Sequence, residues 1–175
     1  MQSNQEVQMI IDAAEMGVPE MQNTLGALHA NGDGVPMSME KAAHWYRKAA
    51  EQGHAMAQCN LGVVYLKGLG VEKNQTIAVE WLLKAAVNGD AEGQFLMAVM
   101  HFQGAGVEQS HSECYNWSIK AAEQGHAKAQ LNLGTLFEQG MGVEKDMEEA
   151  LKWYRKAAEN GDPAAMRILK KHGIV

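Results

Sequence analysis

The sequence repeats at an interval of 36 residues, and this periodicity limits the folds that the chain can adopt. The tryptophans keep the interval: Trp45, Trp81, Trp117 and Trp153. One column of glutamines keeps it too: Gln22, Gln58, Gln94 and Gln130. Alanine pairs and Gly-Val pairs recur in step with them. Because so many independent columns share one spacing, the sequence predicts a tandem array of one structural unit.

Each unit has the pattern of two helices joined by a turn. In the second unit, small and apolar residues at helical spacing predict a first helix over about Ala55–Lys67 and a second over about Gln75–Asn88. Gly68 and Gly89 follow these helices, and glycine favours the left-handed conformation that closes a helix. Four such pairs, with half a unit at either end, give about ten helices. The predicted fold class is therefore all-α: an α/α solenoid, or superhelix, of tandem helix-turn-helix repeats.

The predicted organisation is a single solenoid domain over residues 1–175. It consists of an N-terminal half-repeat cap, four repeats and a C-terminal half-repeat cap: 1–17, 18–53, 54–89, 90–125, 126–161 and 162–175. Half-repeats are expected at the ends, because an internal repeat buries both of its flanks and a terminal one does not.

The repeated columns are also the expected core. Gly26, Gly62 and Gly134 share one column with Ala98, inside the first helix of each unit. A glycine in a helix interior costs about 1 kcal/mol relative to alanine, so its repeated use predicts close approach of a neighbouring helix. The alanine pairs predict the same for the second helix. Tryptophan is expected to fill the space between them, with a further column of Tyr, Phe and His.

At these residues the chain resembles a known family. The strings AMAQCNLGVVYLKGLGV (residues 55–71) and EKAAHWYRKAAEQGHA (residues 40–55) resemble Sel-one-like repeats, which are related to the tetratricopeptide repeats. The resemblance implies right-handed stacking of helix pairs and a role as a protein-binding scaffold or adaptor. In bacteria, some members are similar to immunity or accessory proteins of secreted toxins.

The resemblance to tetratricopeptide arrays also implies a binding surface. There the first helix of each unit lines a concave groove, with residues three before, one after and four after the glycine column pointing inward. In this chain these columns vary between units and are apolar in the middle ones, which suits a surface shaped by a partner protein or peptide. The predicted groove residues, with their rim, are Cys59, Val63, Leu66, Lys67, Phe95, Val99, Phe102, Gln103, Leu131, Thr135, Glu138 and Gln139. The alternative is that tight curvature buries these side chains between neighbouring units.

Two other functions are alternatives to a scaffold or adaptor. One alternative is an immunity-type or chaperone-like protein that blocks a single toxin or effector. Another is a β-lactam-binding hydrolase, since some cysteine-rich relatives resemble penicillin-binding β-lactamases. Those relatives carry a cysteine pair in every unit, whereas this chain has only Cys59 and Cys114. No nucleophile has a base at a motif-like spacing, and no His pair has a metal-ligand spacing. We therefore expect no catalytic residues, no metal and no cofactor.

Charge and hydropathy restrict the partners and the compartment. The chain has 15 basic and 21 acidic residues, a formal net charge of −6, which argues against nucleic acid as a partner. No apolar run approaches the roughly 18 residues that a membrane-spanning helix needs, so we expect no membrane insertion. The first residues lack the basic and apolar regions of a signal peptide, which makes the cytoplasm the default expectation. A periplasmic or secreted location would apply if the chain is a trimmed form.

Overall fold

The computed structural model describes residues 4–174, and over that range all regular secondary structure is helical. It contains ten helices: α1 (Asn4–Glu15), α2 (Pro19–Asn31), α3 (Met39–Glu51), α4 (Ala55–Lys67), α5 (Gln75–Val87), α6 (Ala91–Gln103), α7 (His111–Glu123), α8 (Ala127–Gln139), α9 (Met147–Glu159) and α10 (Pro163–Lys171). The predicted all-α class of tandem helix-turn-helix repeats is confirmed. The outermost residues of the two predicted caps, 1–3 and 175, lie outside the described range.

The chain forms two compact units, which divide after Asp90. Unit 1 contains α1 to α5, and unit 2 contains α6 to α10. Within each unit, every helix packs against the next one along the chain. The even-numbered helices α2, α4, α6 and α8 are the first helices of the repeats, and α3, α5, α7 and α9 are the second helices.

Each second helix begins at a polar side chain that the periodic pattern alone does not single out. These residues form one column: Ser38, Asn74, Ser110 and Asp146. The side-chain oxygen of each accepts a hydrogen bond from a backbone N–H two or three residues further on, which satisfies a donor that the helix leaves free. Among the first helices, α4 and α8 are capped by His54 and His126, and α10 is capped by Asp162, followed by Pro163.

Glycine ends the first helices for the predicted reason and serves a second purpose in the loop. Gly68, at φ +69°, adopts the left-handed conformation and closes α4. Gly70, two residues later, also has a positive φ, of +68°. A Cβ atom there would collide with the backbone at Met39 and Glu40, where α3 begins. Gly70 and Gly142 therefore let the loops of the second and fourth repeats lie directly against the second helix of the preceding repeat.

The glycine column inside the first helices faces a large side chain from the second helix. A Cβ atom on Gly26 would lie 2.6 Å from Cδ1 of Tyr46, and one on Gly62 would lie 2.6 Å from Cγ of Leu82. Gly134 faces the ring of Tyr154 in the same way. The third repeat has Ala98 in the glycine column and the small Ser118 in the facing column, and both are fully buried. The predicted close approach is confirmed, and the two columns match each other in size.

The tryptophans lie nearer the edge of the core than the repeat pattern predicts. Trp45, Trp81 and Trp117 are only partly buried, and Trp153 is 9% exposed. A lysine three residues later covers each ring; the Lys84 ammonium, for example, lies 4.1 Å from the centroid of the Trp81 ring. The next column along the second helices lies deeper: Tyr46 is 7% exposed, and Leu82 and Tyr154 are fully buried. Each tryptophan thus packs with one face on the core and holds a lysine on the other.

The glutamine column ties three helices together. Nε2 of Gln58 donates to the carbonyl oxygen of Ala50 at the end of α3, at 3.1 Å. Its Oε1 accepts from Nδ2 of Asn88 at the end of α5, at 2.9 Å. Gln22 and Gln130 make the same pair of bonds in their own repeats. Because both ends of the buried amide are used, the column fixes how successive helices are joined within a unit.

Candidate functional site

Unit 2 contains an apolar cavity along the first helix of the third repeat. Phe95, Val99 and Phe102 project from one face of α6, because they are spaced by four and three residues. Phe95 and Val99 are half-buried, and Phe102 is 40% exposed. These side chains line a cavity of about 470 Å³. We call this surface the unit 2 groove.

The opposite wall of the unit 2 groove comes from α8. Leu131 and Thr135 are spaced by one helical turn and line the same cavity as the α6 residues. Six of the twelve residues predicted for the concave surface therefore lie together here: Phe95, Val99, Phe102, Gln103, Leu131 and Thr135.

The other six predicted residues lie outside this cavity. Glu138 is half-buried and accepts a hydrogen bond from the Tyr154 hydroxyl at 2.7 Å, and Gln139 is exposed. The remaining four belong to α4 of unit 1: Cys59, Val63, Leu66 and Lys67. Cys59 is only 3% exposed, so it offers no surface to a partner in this structure. Val63 and Leu66 are half-buried and Lys67 is exposed.

Three polar residues of the unit 2 groove are absent from the sequence-based prediction: Lys128, Asn132 and Asp162. Leu131 and Asn132 stand three and four residues after Lys128, so helical periodicity places all three on one face of α8. This helical spacing is the feature of the sequence that could have added Lys128 and Asn132 to the predicted groove. Asp162 is the N-cap of α10, the next first helix, and its Oδ1 accepts hydrogen bonds from the N–H groups of Ala164 and Ala165.

One end of the groove is braced by His126. Its ring stacks on that of Phe95, with 4.8 Å between centroids and 25° between planes. Nδ1 of His126 accepts from the N–H of Ala129 as the cap of α8, so the ring proton lies on Nε2, which donates to Oε2 of Glu92 at 2.9 Å. This hydrogen bond lowers the pKa of the Glu92 carboxyl from its usual value. The phenylalanine is thereby held in place by polar contacts outside the groove.

The third repeat differs from the fourth beneath the groove. In the fourth repeat the Tyr154 hydroxyl reaches Thr135 and Glu138 on α8. The corresponding residues of the third repeat are Ser118, Val99 and Phe102. Ser118 is too short to reach this surface, and its hydroxyl instead accepts from Nδ2 of Asn132 at 2.9 Å. No tyrosine therefore reaches Val99 and Phe102 from α7, and their apolar faces border the cavity.

The cysteine environment in this region favours the protonated thiol. Cys114 is fully buried beside Asn132 and Ser118, and burial raises the pKa of its thiol. A buried thiol of raised pKa is a poor nucleophile. Within residues 4–174, no three His, Cys, Asp or Glu side chains are grouped closely enough to hold a metal ion. Over the same range, none of the helices is long and apolar enough to cross a membrane.

Comparisons with known proteins agree with the repeat pattern. Four consecutive stretches match the Sel1 repeat: residues 19–54, 55–90, 91–126 and 127–162. A Sel1 repeat protein from Oxalobacter formigenes is 35% identical, with a TM-score of 0.88, over 95% of this chain and 66% of that one. The protein c5321, described as a protective antigen of uropathogenic Escherichia coli with an SLR fold, is 38% identical, with a TM-score of 0.84, over 89% of this chain and 33% of that one.

A more distant likeness concerns the fold alone. The cysteine-rich protein B of Helicobacter pylori is 24% identical, with a TM-score of 0.61, over 79% of this chain and 99% of that one. No match is found among curated proteins. This chain covers 66% of the Oxalobacter formigenes protein and 33% of c5321, which is less than two thirds of either one. Four matched repeats over most of its length show that the chain belongs to the Sel1 repeat family.

Proposed function

We propose that this chain is a non-enzymatic adaptor that binds a partner protein through the unit 2 groove. Sel1 repeats generally mediate protein–protein interactions, which gives the class of function. The observation that carries the proposal is the apolar lining of the groove: Phe95, Val99 and Phe102 face Leu131 across a cavity of about 470 Å³. Exposed apolar surface of this kind usually marks a site of association.

Sequence variation between repeats supports the same surface. The packing columns keep Gln, Trp and Ala-Ala in all four repeats, as their contacts require. The groove columns change from repeat to repeat; at the position of Phe102, the other repeats have Ala30, Leu66 and Glu138. The side chain at this position is not dictated by a shared packing role. A partner-specific role accounts for an exposed phenylalanine there.

The test is affinity capture from native lysate with wild-type chain and the Phe102→Glu variant as baits. Phe102 is 40% exposed, so the substitution should leave helical content unchanged while placing a charge in the groove. Met147→Glu is a matched control, because Met147 is 38% exposed in the same unit and does not line the groove. We expect a partner that is captured by wild type and Met147→Glu and lost with Phe102→Glu. Direct titration with the purified partner then measures the loss.

Equal capture by all three baits would contradict the proposed groove. The identity of the partner also separates the alternatives. A single toxin whose activity the chain blocks would indicate the immunity-type function, and turnover of a chromogenic β-lactam would indicate the hydrolase.

A further inference from the structure

We infer that the partner presents an amphipathic α-helix to the unit 2 groove, with a carboxylate side chain that pairs with Lys128. This inference rests on the proposed function and specifies its ligand. It follows from which groove side chains are free to bind, and from the length of the apolar surface.

Several polar atoms in the middle of the groove already have partners. Asn132 donates to the Ser118 hydroxyl, and Thr135 donates to the carbonyl oxygen of Leu131 on its own helix. Asp162 accepts from two backbone N–H groups of α10. An extended peptide would need hydrogen-bond partners for its backbone along the groove, and the Asn132 amide N–H and the Thr135 hydroxyl are committed elsewhere. No sheet edge exists within the described part of the chain to receive an added strand.

A helix satisfies its own backbone and needs only apolar contact from such a surface. The lining from Phe95 to Phe102 covers seven residues of α6, which corresponds to about 10 Å, or two helical turns. A partner helix with apolar residues at i, i+4 and i+7 presents a stripe of the same length. The geometry of the groove thus fits a two-turn apolar stripe.

The remaining polar groups of the groove indicate which charge the bound helix carries near one end. Lys128, near the start of α8, is exposed and makes no hydrogen bond or ion pair within residues 4–174. Glu92 lies near enough to interact with it electrostatically, but the Glu92 carboxylate is hydrogen-bonded to His126. Gln103 lies at the other end of the groove and is uncharged. Lys128 is therefore a cation of the lining without a hydrogen bond or ion pair within residues 4–174, and a carboxylate on the partner complements it.

The experiment is peptide selection on the full chain from two displayed libraries of equal length. One library contains lactam-stapled helices with Leu or Phe at i, i+4 and i+7, and the other carries the same residues with prolines that prevent helix formation. We expect binders that depend on Phe102 to come from the helical library and to carry Asp or Glu near one end. Lys128→Glu should weaken them about tenfold, and replacing the peptide acid by Lys should restore binding to that variant. Lys145→Glu, an exposed site of unit 2 outside the groove, should have little effect.

The outcomes separate the two proposals. Phe102-dependent binders that come from the proline library, or that bind Lys128→Glu as tightly as wild type, would overturn the helical partner and leave the groove intact. If neither library yields a binder sensitive to Phe102→Glu, both the helical partner and the proposed groove are wrong.

Discussion

Tyr154 shows how a single side chain joins two helices of unit 2. It is fully buried, and its hydroxyl donates to Oε2 of Glu138 at 2.7 Å. Burial, followed by the hydrogen bond to Glu138, raises the pKa of Tyr154 to about 12, from an ordinary value of about 10. Because the unfolded chain releases this proton first, the contribution of Tyr154 to stability is complete below about pH 10 and is lost as the pH rises to about 12.

Tyr154→Phe tests this linkage. At neutral pH the variant should lose about 1 kcal/mol of unfolding free energy with the hydrogen bond to Glu138. Between pH 10 and pH 12, the unfolding free energy of wild type should fall more steeply than that of Tyr154→Phe, as measured by urea unfolding at a series of pH values. Tyr115→Phe is the control, because that hydroxyl makes no hydrogen bond within residues 4–174. Equal slopes for wild type and Tyr154→Phe would contradict the assignment.

At the scale of the helix pair, the residues in the two facing columns match each other in side-chain size. Glycine in the first helix accompanies Tyr46, Leu82 or Tyr154 in the second, whereas Ala98 accompanies Ser118. Alanine is the better helix former by about 1 kcal/mol, but overlap with a rigid ring costs about 1–3 kcal/mol. Overlap is the larger effect, which explains why the glycine persists wherever the facing residue is large.

Exchange of this pair in the third repeat tests the matching. Ala98→Gly alone should destabilise the chain by about 1 kcal/mol, because glycine is the weaker helix former. Ser118→Tyr alone should destabilise it by about 1–3 kcal/mol, since the ring meets the Ala98 methyl group. In the Ser118→Tyr background, however, Ala98→Gly should raise the unfolding midpoint. A double-mutant cycle in urea measures this reversal of sign, and an Ala98→Gly effect that is the same in both backgrounds would rule the matching out.

The helices themselves follow from local signals in the sequence, and the groove does so only in part. The predicted bounds Ala55–Lys67 match α4, because Gly68 ends the helix through its own backbone conformation. Lys128, Asn132 and Asp162 are absent from the prediction because it rests on three columns taken from related repeats, whereas the groove also includes neighbouring positions of α8 and the start of α10. The depth of the tryptophans was overestimated because periodicity shows that a residue recurs, and does not show that Lys84 covers one face of Trp81.

At the scale of the whole chain, the two glycine–tyrosine contacts described above each lie inside one compact unit. Gly26 and Tyr46 lie in unit 1, and Gly134 and Tyr154 lie in unit 2 together with the groove. In repeat proteins, stability is approximately a sum of terms from individual repeats and their neighbours. A defect in one unit should therefore lower protection chiefly in its own helices, since opening is local.

Gly26→Ala and Gly134→Ala form a matched pair for this test, because each places a methyl group against a tyrosine ring. We expect Gly26→Ala to accelerate amide hydrogen exchange most in α2 and α3, and Gly134→Ala to accelerate it most in α8 and α9, as read from peptides by mass spectrometry. Phe102→Glu should leave exchange in both units near the wild-type level, since its side chain is partly exposed. If either glycine variant accelerated exchange equally in all ten helices, the chain would open as one cooperative body, and repeat-by-repeat additivity would not describe it.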